Sequence, residues 1–469
     1  MNDNPISSPR RQLPWRSRHA RPRNRHERSL WSNGTFHTIW LAATISDFGL
    51  YISALALPLT AAVTLEASPF QMGLLTAVEW LPFVALGLIA GVVVDRLPRR
   101  TLLIATDWLR AALLAVIPIL AITGGLRFEV LLAVAFAVGT CSLVFQVAQV
   151  SLLPGVLSRA DLTVANSRLE ASAATAQATG PGLAGLLIAA LSAPIAVGVN
   201  ALSFAVSGLI LKRLPANADD ESRAADGQEA DRGIVLAARV RQGGREIAEG
   251  LRVFADQPIL RASLLASTTI NLFGFVFMAV YILFMTRTLG LSEVVIGAIL
   301  SLGGVGAVAG SLLSDRLQRR LGFGRAMVWA MLVCCAASLL IPLAFVAPSF
   351  AVPLLAVAEL VQYGTLAIFN IGGRTLRQVL AAAPVQGRVN ATARTLIGAG
   401  TLVGSLAGGL LGGWIGLGNT LIVGAIGMML AIPIVLLSPL GALRELPEDE
   451  PTPAQEVPST GDTVPAGSA

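Results

Sequence analysis

The sequence predicts an all-α integral membrane protein whose twelve transmembrane helices form two pseudo-symmetric six-helix bundles. Hydrophobic residues make up 54% of the 469 residues and charged residues only 13%, which is about half the charge of a typical soluble domain. Apolar stretches of about 18–25 residues recur along the chain, and a helix needs this length to cross a bilayer. The two halves of the chain also align with each other at a fixed offset.

Twelve apolar runs, bounded by charged residues and by glycine and proline clusters, are predicted to form the spans. Spans 1 to 12 cover residues 37–64, 70–94, 101–123, 129–153, 168–191, 194–212, 259–286, 293–314, 325–346, 351–375, 392–415 and 419–438. The first six spans constitute a predicted N-terminal bundle over residues 37–212, and the last six a C-terminal bundle over residues 259–443.

Polar segments precede, connect and follow the two bundles. Residues 1–36 carry a basic tail that is predicted to be disordered and cytoplasmic. Residues 213–258 are a predicted cytoplasmic linker, in which residues 234–254 favour an amphipathic helix along the membrane surface. Residues 444–469 are rich in proline and acidic side chains, so a disordered cytoplasmic tail is expected there.

The basic residues predict the orientation of the chain. All 34 are arginine except Lys212, and the net charge is +6. The short loops after even-numbered spans, with the adjoining helix ends and without the long linker after span 6, hold thirteen arginines, whereas the opposite loops hold two, Arg127 and Arg287. Under the positive-inside rule this bias predicts a multi-pass protein of the plasma (inner) membrane with both termini in the cytoplasm. Because the arginines of the two bundles lie mostly in short loops between spans, no nucleic-acid partner is expected.

An internal repeat relates the two halves. A shift of 224 positions aligns five identical pairs: Gly73 with Gly297, Phe145 with Phe369, Asn166 with Asn390, Gly180 with Gly404, and Gly185 with Gly409. The segment Asp95-Arg96-Leu97-x-Arg99-Arg100 recurs as Asp315-Arg316-Leu317-x-Arg319-Arg320. Six helices repeated in this way are typical of two-domain transporters, in which a substrate site lies between the halves near the middle of the membrane.

Several segments resemble a known family. Residues 91–100, Gly91-Val-Val-Val-Asp95-Arg96-Leu97-Pro98-Arg99-Arg100, resemble the loop 2–3 signature of the major facilitator superfamily, with proline in place of the usual glycine. Residues 176–185 resemble its antiporter signature through Gly180, Pro181 and Gly185. Shorter segments at 152–154, 162–167, 200–204 and 250–254 are similar to twelve-span exporters that include macrolide efflux pumps, Tap-type drug pumps and the enterobactin exporter.

The loop 2–3 motif and its second copy are expected to control access from the cytoplasm. Arginines there can bind carboxylates or carbonyl oxygens at neighbouring helix ends when that side closes. The alternative is that they only set orientation. The predicted gating residues are Gly91, Asp95, Arg96, Arg99, Arg100, Asp315, Arg316, Arg319 and Arg320. In span 5 the resemblance links Gly180, Pro181 and Gly185 to antiport, and ordinary close packing of small residues is the alternative.

Ionisable side chains inside the spans are candidates for proton coupling, because an unpaired buried charge is costly and a buried carboxyl group can exchange a proton near neutral pH. Asp47 in span 1 is the first choice, and its repeat partner in span 7 is Asn271. Glu79 in span 2 and Glu359 in span 10 are the second and third choices. For each of them a structural carboxyl group is the alternative. Asp107 and Arg110, one turn apart in span 3, are expected to pair.

Polar and aromatic side chains are expected to line a substrate cavity, although an aromatic residue in a span can equally face lipid or a packing partner. The candidates are Gln146, Gln149, Asn271, Gln362, Tyr363, Asn370, Trp80, Phe145 and Phe369. Many drug–proton antiporters of the superfamily carry an arginine in span 4, but residues 130–152 contain none. The coupling scheme built on that arginine therefore cannot be transferred.

The resemblance implies a secondary active transporter that exports small amphiphilic drugs or secondary metabolites by proton antiport with alternating access. A siderophore or lysolipid transporter of the same fold is the nearest alternative. A membrane enzyme is disfavoured because all three histidines precede or begin span 1, and a transport-inactive sensor would need a signalling domain. The expected partners are a small-molecule substrate and membrane lipids. We expect a monomer with no cofactor and no metal, driven by a proton gradient.

Overall fold

The computed structural model describes residues 33–215, 236–381 and 385–443, and its regular structure within these ranges is entirely helical. Eleven of the described helices are long and apolar enough to cross a membrane, and the number is twelve when one helix pair, bent by 58°, is counted as a single span. The predicted fold class is therefore confirmed. Most of the predicted N-terminal tail, the whole predicted C-terminal tail and the linker residues 216–235 lie outside the described ranges.

The helices of the two halves follow one another with short connections. In the first half the spans are Gly34–Leu59, Pro69–Ala85 with Gly87–Arg96, Arg99–Ile122, Phe128–Val156, Arg159–Leu191 and Ala193–Leu211. In the second half they are Pro258–Leu283, Glu293–Leu321, Phe323–Ser338 with Leu340–Val346, Ala351–Leu380, Gln386–Trp414, and Leu417–Met429 with Ala431–Leu436. The helix Leu236–Asp256, which we call the linker helix, precedes span 7. Span numbers hereafter denote these helices.

Most predicted span ends lie within three residues of the helix ends, but four helices continue further on one side of the membrane. Span 5 begins at residue 159 rather than 168, and span 8 ends at 321 rather than 314. Span 10 ends at 380 rather than 375, and span 11 begins at 386 rather than 392. Polar residues end the apolar runs there, but the backbone hydrogen bonds of a helix continue regardless of hydropathy.

The internal repeat is visible in the backbone at the ends of spans 1 and 7. Both helices finish in a π-helical turn, Thr60–Thr64 in span 1 and Phe284–Thr288 in span 7, at a spacing of 224 residues. In both turns the next amide donates to the first carbonyl of the turn, at 3.1 Å and 3.0 Å respectively. Because π-helical turns are rare and frequently lie at functional sites, their equivalent placement supports the relation between the halves.

The two sides of the membrane are named by their position relative to the linker helix. Span ends that face it form the linker side, and the opposite ends form the far side. The linker helix packs on span 11, where Gly250 lies against Thr392 and the Thr392 hydroxyl donates to the Ile247 carbonyl at 3.2 Å. Glu249 and Arg388 form an ion pair at 2.5 Å. The linker helix is thus attached to the second half, and its alignment along the membrane surface stays a prediction.

The buried core is continuous across the halves on the far side only. One cluster there combines residues of both halves, such as Leu75 of span 2 and Val280 of span 7. On the linker side the described core is divided, with clusters around Leu103 in the first half and around Met327 in the second. The apolar contact that joins the halves therefore lies on the far side.

Candidate functional site

The halves approach closely along two helix pairs on the far side. A methyl group on Gly73 of span 2 would lie 2.8 Å from the Cα atom of Gly409 in span 11. A methyl group on Gly297 of span 8 would lie 3.0 Å from the Cα atom of Gly185 in span 5. Helices at this distance require residues with almost no side chain. The repeat relates Gly73 to Gly297 and Gly185 to Gly409, so the two glycine contacts are pseudo-symmetric copies of each other.

The antiporter-like residues of span 5 lie along this seam. The Pro181 carbonyl oxygen would be 2.5 Å from a methyl group on Gly297, and a methyl group on Gly180 would be 2.5 Å from the Cβ atom of Tyr51 in span 1. The Gly182 amide donates to the hydroxyl of Ser301 in span 8 at 2.8 Å. Close helix approach is what these residues provide here, and their link to antiport stays a prediction.

Arg287 connects the two halves at the far side. It lies in the π-helical turn of span 7, and its Nη2 atom donates to the carbonyl oxygens of Ala62 at 3.0 Å and Ala67 at 2.9 Å. Ala62 lies in the π-helical turn that ends span 1 and Ala67 in the loop that follows it, so one guanidinium holds the two halves together through charge-assisted bonds. The repeat places Val63 at the equivalent position, so this clamp is asymmetric. From the sequence, Arg287 indicated only the orientation of the chain.

Replacing Arg287 with alanine is expected to shift the protein towards states with an open far side. Loss of one hydrogen bond to a charged group, about 1.5 kcal/mol, would change that equilibrium roughly tenfold. Distances between spin labels at Thr64 and Thr288 would measure the change, with Arg127→Ala as the control because it removes the other far-side arginine. Equal distance distributions in Arg287→Ala and the parent protein would contradict the clamp.

The first copy of the gating motif lies on the linker side. Arg99 donates to the Ser151 carbonyl near the end of span 4 at 3.1 Å. Arg100 donates to the carbonyls of Lys212 and Leu214, just after span 6, both at 2.9 Å. These bonds tie the start of span 3 to the ends of two neighbouring helices in the same half. Arginine binding to carbonyls at helix ends, as expected from the sequence, is therefore present.

The second copy of the motif forms the last turns of span 8. Asp315 and Arg319 pair at 2.6 Å within this helix, and both side chains are 71% exposed. Arg316 and Arg320 are exposed as well, as are Asp95 and Arg96 in the first copy, and Gly91 borders open space. The ion pair and hydrogen bonds described for both copies lie within single halves, so control of access across the halves stays a prediction.

Asp47, the first choice for proton coupling, lies half-buried near the middle of span 1. Two residues further along, on another face of span 1, a methyl group on Gly49 would lie 3.0 Å from the Cβ atom of Ser203 in span 6. The charges that act on Asp47 are Glu170 of span 5 and Arg110 of span 3. Asp47 is thus a half-buried carboxyl group of the first half on which charges of both signs act.

Asn271, the repeat partner of Asp47, lies half-buried in span 7. Its side-chain amide donates to the Ser267 carbonyl in the same helix at 2.9 Å. An amide has no proton to exchange near neutral pH. At these two equivalent positions the first half carries a carboxyl group, which can be protonated, and the second half carries an amide, which cannot.

Glu79, the second choice, stands beside an aromatic cluster that crosses between the halves. The Trp80 ring lies 5.8 Å from the Phe83 ring in its own helix and 5.8 Å, edge-on, from the Phe275 ring of span 7. Trp80 remains 42% exposed. Such rings offer a large apolar surface that can also attract cations.

Glu359, the third choice, is enclosed in the interior of the second half. Only 3% of the residue is exposed, and its Oε2 atom has no hydrogen-bond partner among the described residues. A methyl group on Gly303 of span 8 would lie 2.7 Å from this oxygen and 3.1 Å from the Tyr363 ring. Glu359 and Tyr363 therefore lie within one bundle, between spans 8 and 10, rather than in a cavity between the halves.

The other predicted cavity residues fall into an exposed or half-buried group and a buried group, depending on the helix face on which they lie. Gln146 and Asn370, which are repeat partners, are exposed, and Gln149 is half-buried. Phe145 and Phe369 are buried inside their own halves, so for them the cavity assignment was wrong.

Gln362 also differs from the expectation, because its side-chain nitrogen lies 3.8 Å from the sulfur of Met428 in span 12. It therefore faces a helix of its own half. One reason explains why Gln362, Tyr363 and the two buried phenylalanines all face their own half rather than a cavity between the halves. A span that is apolar on all sides has no periodic signal that tells which face meets the partner half.

A groove between spans 1 and 5 was not predicted. Its volume is about 320 Å³, and it is lined by Trp40, Thr44, Phe48, Arg168, Ala171, Ser172 and Thr175. The polar lining residues of span 5 recur every three to four positions, which is the spacing of one helix face. That spacing was the available signal. Because Phe48 follows Asp47 directly, the groove leads to the same region of span 1.

Comparisons with known sequences agree with this architecture. The family model described as Major Facilitator Superfamily matches residues 39–373 and 264–467. The uncharacterized MFS-type transporter YfiS of Bacillus subtilis (strain 168) is 30% identical over 50% of this chain and 52% of its own length. The multidrug efflux pump Tap of Mycolicibacterium fortuitum is 30% identical over 49% of this chain and 54% of its own. The chain spans about half the length of the curated relatives it matches.

A solved structure agrees as well. A bacterial homologue of the iron transporter ferroportin, in an inward-facing state, matches with a TM-score of 0.67 at 18% identity, over 87% of this chain and 98% of its own. At this identity the likeness concerns the fold alone. The family match extends through both halves and identifies a transporter rather than an enzyme. The chain belongs to the Major Facilitator Superfamily.

Proposed function

We propose that this protein exports small amphiphilic organic compounds in exchange for protons, by alternating access between two halves. The observation that carries the proposal is that the two halves are closed against each other on one side of the membrane only. The halves meet through glycine contacts and Arg287 on the far side, whereas their cores are separate on the linker side. Asp47, a half-buried carboxyl group near the middle of span 1, would take up a proton from one side and release it to the other as the closure alternates.

Export is proposed from the orientation of this closure together with the arginine bias. The positive-inside rule assigns the linker side to the cytoplasm of a cell whose plasma membrane holds the protein. A site that opens to the linker side would then load its substrate from the cytoplasm or the inner leaflet. The 30% identity to a protein named as a multidrug efflux pump supports the same direction.

The substrate class is proposed from the side chains near the seam. Trp80, Phe83 and Phe275 offer aromatic surface contributed by both halves, and Asp47 and Glu79 offer negative charge. Aromatic rings with carboxylates favour compounds that combine an apolar body with a positive charge. The protein would act as a monomer, with no cofactor, on a substrate that partitions into lipid.

Transport by inside-out membrane vesicles would test this function. We expect vesicles that contain the protein to accumulate ethidium when their interior is acidified, and a protonophore to abolish the accumulation. Vesicles from the same strain without the protein serve as the background. The same vesicles, tested with a lysophospholipid and with a ferric siderophore, separate the alternatives within transport. Movement of either compound without ethidium would replace the proposed substrate, and no movement of any compound would favour a sensor.

A further inference from the structure

The groove between spans 1 and 5 opens on the outer surface of the first half. All of its lining residues belong to that half. Successive residues of a helix point about 100° apart, so Phe48 points between Tyr51, which meets span 5, and Gly49, which meets span 6. The groove therefore opens beside span 6 rather than towards the second half, and it lies outside the seam between the halves.

One end of the groove lies at the level of the lipid headgroups. Arg168 stands where the apolar run of span 5 begins, inside a helix that starts at residue 159. Trp40 stands near the start of the apolar run of span 1. Tryptophan is typical of this level, and an arginine there extends its charge towards the headgroups. From this end the groove continues to Phe48 and Thr175, about 10–12 Å deeper along the helices.

The wall of the groove presents hydrogen-bond acceptors below the arginine. Thr44, Ser172 and Thr175 each donate the hydroxyl hydrogen to a carbonyl oxygen of their own helix, at 2.8 Å, 2.9 Å and 2.8 Å respectively. A hydroxyl group has one hydrogen and two lone pairs. While the bonds within the helices are made, these oxygens can accept hydrogen bonds from a ligand but cannot donate to it.

The repeat-equivalent surface of the second half is covered by protein. A shift of 224 relates Arg168 to Thr392, whose hydroxyl donates to a carbonyl of the linker helix at 3.2 Å. The same shift relates Thr44 to Thr268, and the Thr268 carbonyl oxygen would be 3.2 Å from a methyl group on Gly400 in span 11. Spans 7 and 11 thus pack closely where spans 1 and 5 leave a groove. The open surface is a feature of the first half.

These side chains define a ligand from the headgroup level inwards. The charge of Arg168 favours an anionic group, and phosphate suits a guanidinium because two N–H donors can bind two of its oxygens. The hydroxyl oxygens below it favour a hydrogen-bond donor, and the ring of Phe48 favours an acyl chain. A volume of about 320 Å³ is at the small end of ligand pockets, so it suits one chain rather than two.

A diacyl phospholipid matches only part of this order, because beneath its phosphate the glycerol carries two ester groups, which accept hydrogen bonds, and two chains. A lysophospholipid has one chain, and its free glycerol hydroxyl lies next to the phosphate on the chain side. We propose that the groove binds a lysophospholipid of the linker-side leaflet. Its phosphate binds Arg168, its glycerol hydroxyl donates to Thr44 or Ser172, and its chain lies beside Phe48. This inference does not rest on the proposed function, because the site lies outside the seam.

Binding of three lipids to the purified protein tests the need for a donor. Native mass spectrometry would measure the affinities for palmitoyl lysophosphatidylglycerol, for its deoxy analogue without the glycerol hydroxyl, and for dipalmitoyl phosphatidylglycerol. All three share one headgroup. We expect the lysolipid to bind about 2- to 10-fold more tightly than the deoxy analogue, as one hydrogen bond allows, and more tightly than the diacyl lipid. Equal affinities for the lysolipid and its deoxy analogue, or preference for the diacyl lipid, would overturn the proposal.

Variants of the lining residues locate the binding. Thr44→Val with Ser172→Ala removes the acceptors with little change in shape, so the preference for the lysolipid over its deoxy analogue should fall to about one. Arg168→Gln should weaken all three lipids about tenfold or more, because they share the phosphate. Arg394→Gln and Thr395→Val are the controls. They remove an exposed arginine and a hydroxyl that donates within its own helix, both in span 11, and should leave the affinities unchanged.

A preference that persists in the double variant, or parent-like affinity in Arg168→Gln, would place the lipid elsewhere and contradict the proposal. The comparison of three lipids on the parent protein needs no variant, so the proposal is tested even where a variant does not fold. Binding to the purified protein is also separate from the vesicle assay. A parent protein that moves no ethidium contradicts the proposed function, whereas a missing preference for the lysolipid contradicts this site.

Discussion

Asparagine in place of Asp47 is expected to reduce proton-driven ethidium accumulation to the background of vesicles without the protein. The side chains have nearly the same size, and Asp47 is half-buried, so the change should not reduce the amount of folded protein. The amide cannot exchange a proton near neutral pH, so the link between proton entry and substrate exit would be lost. Accumulation in vesicles with equal amounts of parent and variant protein measures the effect.

Glu359→Gln is the matched comparison, because it removes a second intramembrane carboxyl group by the same amide exchange. Glu359 lies inside the second half, so we expect this variant to retain proton-driven accumulation. Normal accumulation by Asp47→Asn would exclude Asp47 from coupling. The same result combined with an inactive Glu359→Gln would move the coupling site into the second half.

Valine in place of Gly409 is expected to prevent closure of the far side and to abolish transport. A single methyl group at this position would lie 2.9 Å from the Pro69 carbonyl oxygen and 3.1 Å from the Cα atom of Gly73, and valine adds two further carbons. Overpacking of this kind costs about 1–3 kcal/mol, which changes an equilibrium roughly 5- to 150-fold. Because the contact joins the two halves, the strain would be relieved by their separation rather than within either bundle.

Gly413→Val is the control for this prediction. Gly413 lies one turn further along span 11, and a methyl group there would meet no atom within 4 Å. Both variants make the same glycine-to-valine change in helix propensity, so a difference between them reports the inter-half contact. Spin-label distances between Thr64 and Thr288 should lengthen in Gly409→Val and stay unchanged in Gly413→Val. Parent-like distances and transport in Gly409→Val would show that the glycine contact is not needed for closure.

The glycine contacts between the halves were only partly predictable from the sequence. The shift of 224 aligned Gly73 with Gly297 and Gly185 with Gly409 as equivalents within the repeat, but it did not indicate which residues touch. In the structure each of these glycines contacts a glycine of the other half. Pseudo-twofold packing produces this exchange, because span 2 meets span 11 and span 5 meets span 8.

The cavity candidates were less predictable than the spans. The repeat correctly indicated equivalent environments, since Phe145 and Phe369 are both buried and Gln146 and Asn370 are both exposed. Their residue types nevertheless suggested one common cavity, which the two phenylalanines do not line. A helix that is apolar on every side gives no period from which its inward face can be deduced.

The tertiary contacts of Arg110 in the first half were likewise not predictable from the sequence. The absence of arginine from span 4 argued against transferring a known coupling scheme, and spacing within span 3 predicted only a local ion pair. Contacts of Arg110 with Phe145 and Phe204 depend on how spans 3, 4 and 6 pack together. Residues so far apart in the chain leave no local pattern that connects them.

By itself the sequence determined the number of spans, the relation between the halves and the positions of the intramembrane charges. These properties follow from hydropathy and repetition along the chain, because the bilayer requires long apolar helices whatever their neighbours are. Only the tertiary structure decided that the halves join on the far side, that Arg287 clamps them there, and that Arg110 lies between the rings of Phe145 and Phe204. Those features depend on the rotation of each helix about its axis and on its partner, which packing between distant segments sets and local sequence does not.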